Sequence, residues 1–227
     1  MLHIKIFAAL AAVSAQEPDG ISRDAPVTSP RYADCVQLVD ADLKLGRIAA
    51  QQWVSEGGGA EARHCLAQAD LKAGFPKLAA LRFEEIAGRN DAGDDYVRAR
   101  LYDQAALSWL EGEEPSLAGN ALDEALALVP DSGELQLTAA KVYAAQERWQ
   151  DVIDAVDTAE AAGFVSSQTY VLRGRGRYTL AKYEDAAYDV VAALTLNPKN
   201  IDALVLRGDL AQTGVNIEVS LDAPDEE

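Results

Sequence analysis

The chain has 227 residues, 37 of them acidic and 20 basic, for a net charge of −17 at neutral pH. A surface this negative repels phosphate backbones and anionic bilayers, which argues against nucleic acid and membrane surfaces as partners. Apolar residues make up 49% but aromatics only 7%, with alanine-rich stretches and little β-type alternation, so the composition points to an all-α chain.

Residues 1–15, MLHIKIFAALAAVSA, place Lys5 before an apolar run and end with Val13 and Ala15 at the positions a signal peptidase prefers. They read as a secretory signal peptide, with a buried N-terminal helix as the alternative. The run is too short to anchor in a bilayer, so no stable membrane insertion is expected, and the location predicted is periplasmic. Residues 16–29 carry prolines, glycine and polar residues without an apolar period and read as a flexible linker.

Residues 30–98 predict divergent helix pairs. Tyr32, Cys35 and Leu38 mark one helix, and Leu43, Ile48, Ala49 and Trp53 the next. Gly57-Gly58-Gly59 ends that helix. The triplet is not a phosphate loop, because the Gly-Lys-Ser/Thr ending and a preceding strand are both missing. Ala60 to Ala87 forms a second pair, with Ala67, Gly74, Ala79 and Phe83 at key positions. The polar loop Gly88 to Asp95 follows. Its Asp91, Asp94 and Asp95 lack the order of a calcium loop and its closing glutamate.

From residue 99 the chain repeats with a period of about 34 residues, a spacing that marks a stack of like units. The frames are 99–132, 133–166, 167–200 and a partial 201–213, and residues 214–227 form an acidic tail. Val205-Leu206-Arg207-Gly208 matches Val171-Leu172-Arg173-Gly174, and Pro130 lies two periods before Pro198. Each unit of two short amphipathic helices needs a neighbour to cover its apolar stripes, which is how a solenoid is built.

Cys35 and Cys65 are an even pair in an expected oxidising compartment, so a disulfide between the first helices of adjacent pairs is expected; two buried thiols are the alternative. Of the two histidines, His64 has no metal-ligand spacing, and its neighbour Cys65 points elsewhere on a helix. No nucleophile elbow, dinucleotide fingerprint or nucleophile-base arrangement is present. The expectation is a chain that is not an enzyme and has no catalytic residues, metal or cofactor.

The period and its residues resemble the tetratricopeptide (TPR) family. Tyr102, Ala106, Trp109, Ala118, Leu122, Ala125 and Pro130 carry the pattern in the first frame, and Tyr170, Gly174, Ala186, Val190, Ala193 and Pro198 in the third. Gln136 and Phe164 depart from it in the second frame, and Arg177 takes an aromatic position in the third. The segment from Pro30 to Gln68 is similar to the start of secreted bacterial members, through Tyr32-x-x-Cys35, Trp53, the glycine triplet and His64-Cys65. The resemblance implies a right-handed α-solenoid of antiparallel helix pairs, with a concave groove lined by the first helices that takes a protein or peptide partner.

The groove positions of the family carry over to residues that include Arg100, Leu107, Lys141, Val171, Arg175 and Tyr178. Arg173, Arg175 and Arg177 make a basic cluster on an acidic chain, suited to carboxylates; the alternative is that they pair with neighbouring Asp and Glu. The asparagines of the chaperone-binding carboxylate clamp are missing. Two functions are expected in order: groove binding of a peptide or protein, then a structural or assembly role in a cell-envelope complex through the convex helices.

Overall fold

The computed structural model describes residues 2–4 and 29–217. Among them are eleven α-helices: α1 (Pro30–Ala41), α2 (Leu43–Ser55), α3 (Gly59–Lys72), α4 (Pro76–Ala87), α5 (Asp95–Glu111), α6 (Pro115–Leu128), α7 (Gly133–Ala145), α8 (Trp149–Ala161), α9 (Ser167–Thr179), α10 (Tyr183–Leu196) and α11 (Ile201–Gln212). Two three-residue strands, β1 (Leu2–Ile4) and β2 (Val215–Ile217), pair in parallel with Leu2 opposite Val215. The fold is all-α apart from this small ribbon, and its helices follow one another as antiparallel pairs. Two compact units divide at residues 138 and 139, inside α7.

Helix starts follow local chemistry. Pro30, Pro76 and Pro115 occupy first-turn positions where no amide hydrogen is needed. Asp42 ends α1 and caps α2, its carboxylate accepting from the Leu45 amide at 3.0 Å. Asp94 caps α5 in the same way, and Asp91 pairs with Arg89, which accounts for two of the three aspartates of that loop. Ser166 and Thr169 form a reciprocal capping box at α9. The turns inside the helix pairs share one backbone feature: Glu113, Glu147 and Ala181, each one repeat after the last, have φ of 60°, 59° and 58°, and Gly74 fills the corresponding turn upstream with φ of 81°.

In residues 29–138, α1 packs on α2 and α3, and α2 to α5 each pack on the helix that follows. Cys35, Val39, Ala50, Trp53, Ala62, Cys65, Leu66 and Ala69 form one core cluster. The stripe of α2 differs from the one expected: Gly46, Ala50 and Trp53 are buried whereas Ile48 is 56% exposed. The reason is close approach, since a Cβ at Gly46 would lie 2.5 Å from the Val39 Cα and only glycine lets α1 and α2 cross there. Asp70, fully buried, accepts from Arg47 and Arg82 at 2.6 Å each and so ties α2, α3 and α4 together. The Cys35–Cys65 disulfide joins α1 to α3 with Cα atoms 6.4 Å apart.

In the second unit, α8 packs on α9, α9 on α10 and α10 on α11. Ala186, Val190, Ala193 and Leu194, the stripe expected for α10, are buried with Val171, Leu206 and Leu210. Instead of a closing helix, the chain turns at Thr213 and Gly214 into β2, whose Val215 joins this core. The ribbon was not anticipated: β1 falls within the expected signal peptide and β2 within the expected tail. The rest of the signal peptide, the linker up to residue 28 and tail residues 218–227 lie outside the described residues.

Candidate functional site

The first helices of the N-terminal unit, α1, α3 and α5, form an open cleft of about 470 Å³. Tyr32, Val36 and Asp40 reach it from α1, Gln68, Leu71 and Lys72 from α3, and Arg100 and Gln104 from α5. His64 holds the three helices together. The Tyr32 hydroxyl donates to its Nδ1 at 2.7 Å, and its Nε2 donates to the Gln104 side-chain oxygen at 2.9 Å. Its ring also packs on Tyr32 and Phe83, with centroids 5.6 and 5.5 Å away.

Burial pulls the His64 pKa below its ordinary value of 6.5, the Gln104 bond opposes this, and the Arg100 charge adds to it. The imidazole is therefore a neutral crosspiece with both nitrogens hydrogen-bonded. Burial likewise raises the Tyr32 hydroxyl. At the cleft rim Lys72 is matched by Asp40 at 2.8 Å. Arg100 is exposed, and among the described residues no carboxylate lies within ion-pair reach of it.

The other groove residues read from sequence are placed as follows. Leu107, on α5, is 36% exposed. Lys141 is half-buried on α7. Val171 is only 6% exposed because Ala186, Val190 and Leu206 pack around it, so it serves the core and presents little to a partner. Arg175 is half-buried and bonded to Asp209 of α11 at 2.9 Å. Tyr178 packs at a tilt against Tyr183, centroids 5.5 Å apart.

The arginine cluster has an internal explanation. Arg173 is buried and binds Asp189 of α10 at 2.9 Å together with Asp157 and Glu160 of α8, while Arg177 takes the other Asp189 oxygen at 2.8 Å. Burial opposes the Arg173 charge, but the three carboxylates outweigh it and raise its pKa. Asp189 is lifted by its own burial despite the two arginines. Of the two readings of this cluster, pairing with neighbouring acids is the one the geometry supports.

Tyr32, Gln68, Lys72 and Gln104 are cleft residues that the repeat pattern missed. The links Ser29 to Glu61 and Tyr32 to His64 both span 32 residues, and His64 to Gln104 spans 40, so no constant shift superposes them. The signal that was present is Tyr32-x-x-Cys35 beside His64-Cys65. Among the described residues no group of three or more acidic, histidine or cysteine side chains could hold a metal ion, and no helix is long and apolar enough to cross a membrane.

No family model matches the chain, and no curated protein matches it. Solved structures do. YrrB, described as a TPR protein with an unusual peptide-binding site, superposes with a TM-score of 0.62 at 15% identity, over 78% of this chain and 90% of that one. A thermophilic TPR protein of Thermus thermophilus gives 0.56 at 17% identity, over 80% and 97%. The TPR domain of Arabidopsis OM64 gives 0.51 at 22% identity, over 52% and 98%. At these identities the likeness speaks for architecture, and together with the paired helices it establishes a tetratricopeptide-like fold.

Proposed function

We propose that the chain is a non-enzymatic protein-interaction module, exported to the periplasm, that binds a peptide or protein segment along the face of its first helices. The observation that carries this reading is the α1/α3/α5 cleft. Its floor is fixed by the Tyr32–His64–Gln104 chain of hydrogen bonds, its wall is stapled by a disulfide, and its rim holds the exposed Arg100. A rigid, preformed face lowers the ordering cost of binding. Amides at Gln68 and Gln104 suit an extended backbone, while Val36 and Leu71 offer apolar contact. Leu107, Lys141 and Tyr178 extend the set of partner-facing residues within their own units, Arg175 serves there as the Asp209-paired edge of α9, and Val171 supports α9 from below. A peptide-binding protein of the same fold agrees with this assignment. The disulfide fits an oxidising compartment, and cleavage after Ala15 would remove β1 from the exported form.

A second reading, a structural or assembly subunit that uses the convex helices, is favoured by exposed apolar side chains on α2 and α4: Leu45, Ile48 and Leu81 are each more than half exposed. Photo-crosslinkers installed singly at Gln68, Arg175 and Ile48 of the exported full-length chain separate the two. Crosslinks from Gln68 that disappear with Arg100→Ala support the cleft. Crosslinks from Ile48 alone refute it and support the convex face. Mass spectrometry of the exported protein reads the cleavage site in the same preparation.

A further inference from the structure

The last helix, α11, carries a seat for a helix that the described chain does not provide. Its sequence repeats that of α9 one period on, so each position on α9 states what the matching position on α11 is built to meet. Val171 is 6% exposed beneath α10 and α11, whereas its counterpart Val205 is 49% exposed. A Cβ on Gly174 would lie 3.1 Å from the Asp189 Cβ of α10, whereas one on Gly208 would meet nothing within 4 Å. Ile201 and Leu204 extend the same bare face, at 74% and 37% exposure. Arg207 repeats Arg173, but the carboxylate that α10 supplies to Arg173 has no counterpart: among the described residues none lies within ion-pair reach of Arg207, which is half-buried. Among the described residues, β2 joins the core beneath α11 through Val215 and Ile217 and leaves Ile201, Leu204 and Val205 exposed.

Residues 218–227 do not suit this seat. The same one-period shift lays Ser220 on Ala186, Ala223 on Asp189 and Pro224 on Val190, which removes the acid and puts proline inside the helix that would be needed.

We infer that α11 docks an amphipathic helix from a partner protein, one that completes the fourth repeat in trans and carries the order small, two variable, acidic, aliphatic, two variable, small. The order is that of Ala186, Asp189, Val190 and Ala193 on α10, with the acid placed to meet Arg207 and the small residues placed to pass Gly208 closely. Helix-in-groove recognition of this kind places apolar anchors at helical spacing, and a terminal repeat with only one neighbour gains most from such a cover. This inference does not depend on the cleft of the other unit.

The probe is a helix-stapled peptide with the sequence of Tyr183–Leu196, titrated into the full-length chain by fluorescence anisotropy. Saturable binding is expected. Gly208→Phe, which fills the seat without touching the core, should abolish it. Arg207→Glu should weaken it about tenfold or more, and a peptide with arginine in place of Asp189 should restore the loss. Absence of binding, or binding indifferent to Gly208→Phe, overturns the proposal. So does binding that appears only after residues 218–227 are deleted, which would make the chain's own end the occupant. Sedimentation of the chain as a dimer that Gly208→Phe dissociates would make the occupant a second copy, and overturns it equally.

Discussion

Reduction of the Cys35–Cys65 disulfide should release the first helix pair before anything else unfolds. Of the twelve residues of α1, only Cys35 and Val39 are buried, and among the described elements the helix leans chiefly on α2 and α3. Ordering a helix of that length costs on the order of 1–2 kcal/mol per residue in backbone entropy, which so little burial offsets poorly. The crosslink closes a sequence separation of 30 residues. In the chain-entropy treatment a loop of that size contributes about 3.6 kcal/mol at 25 °C. The assay is hydrogen exchange and guanidinium unfolding of the oxidised chain, the reduced chain and the Cys35→Ala/Cys65→Ala pair. The reduced chain keeps both sulfurs in place and so isolates the loop contribution from the cavity the alanines leave. Protection should fall in α1 and α2, and stability of that region by about 3 kcal/mol or more. A change below about 1 kcal/mol, or protection lost equally from α9 to α11, would refute the reasoning.

Three further outcomes are expected. Gly46→Ala should cost about 1–3 kcal/mol by thermal melting, because its Cβ would meet Val39 backbone at 2.5 Å, whereas Gly208→Ala, with open space around it, should be neutral or stabilising by up to about 1 kcal/mol. Because the folded pKa of His64 lies below its ordinary value of 6.5, the unfolded chain takes up the proton first; stability from this group is full above that value and is lost as pH falls below it, by at most about 1.4 kcal/mol per pH unit. Denaturation midpoints at pH 7 and pH 5 should therefore differ less in His64→Gln than in the native chain, and an equal difference in both would exclude His64 as the source. Arg173→Met, which leaves buried Asp189 with Arg177 alone, should destabilise by about 3 kcal/mol, and Arg173→Met/Asp189→Leu by less than the sum of the two single changes. Strict additivity in urea unfolding would show that the pair does not act as a unit.

The regular repeats were legible because one period governs them. Gly133, Ser167 and Ile201 open their frames and are also the first residues of α7, α9 and α11. The frame from Ala99 enters α5 late, since Asp94 caps the helix and adds a turn before the repeat pattern begins. In residues 30–98 the helices were visible but their register was not: Gly46 and the Trp53 contact at Gly58 set the helix crossings through close approach, which apolar periodicity does not encode. The cleft was hidden for the same reason, being assembled from residues 32 and 40 positions apart. Arg175 and Tyr178 lie on α9, but their neighbours Asp209 and Tyr183 depend on how successive helices pack. The β1/β2 ribbon rests on three residues at each strand, too few for any alternation to register.

The left-handed residues inside the helix pairs have a consequence for where this chain can change length. Glu113, Glu147 and Ala181 keep one backbone conformation although the third has exchanged glutamate for alanine, so the geometry of the turn does not depend on that side chain. An extra residue in such a turn would have to abandon that conformation and rotate the second helix off its partner. The joint after a second helix is under no such restriction: the step from Gly74 to Glu113 is longer than the step from Glu113 to Glu147, and the surplus is taken up by a longer joint between α4 and α5 and an added turn at the start of α5, without disturbing the turn on either side. Insertions, tags and grafted loops are thus admissible between one pair and the next, and each pair is an indivisible cassette.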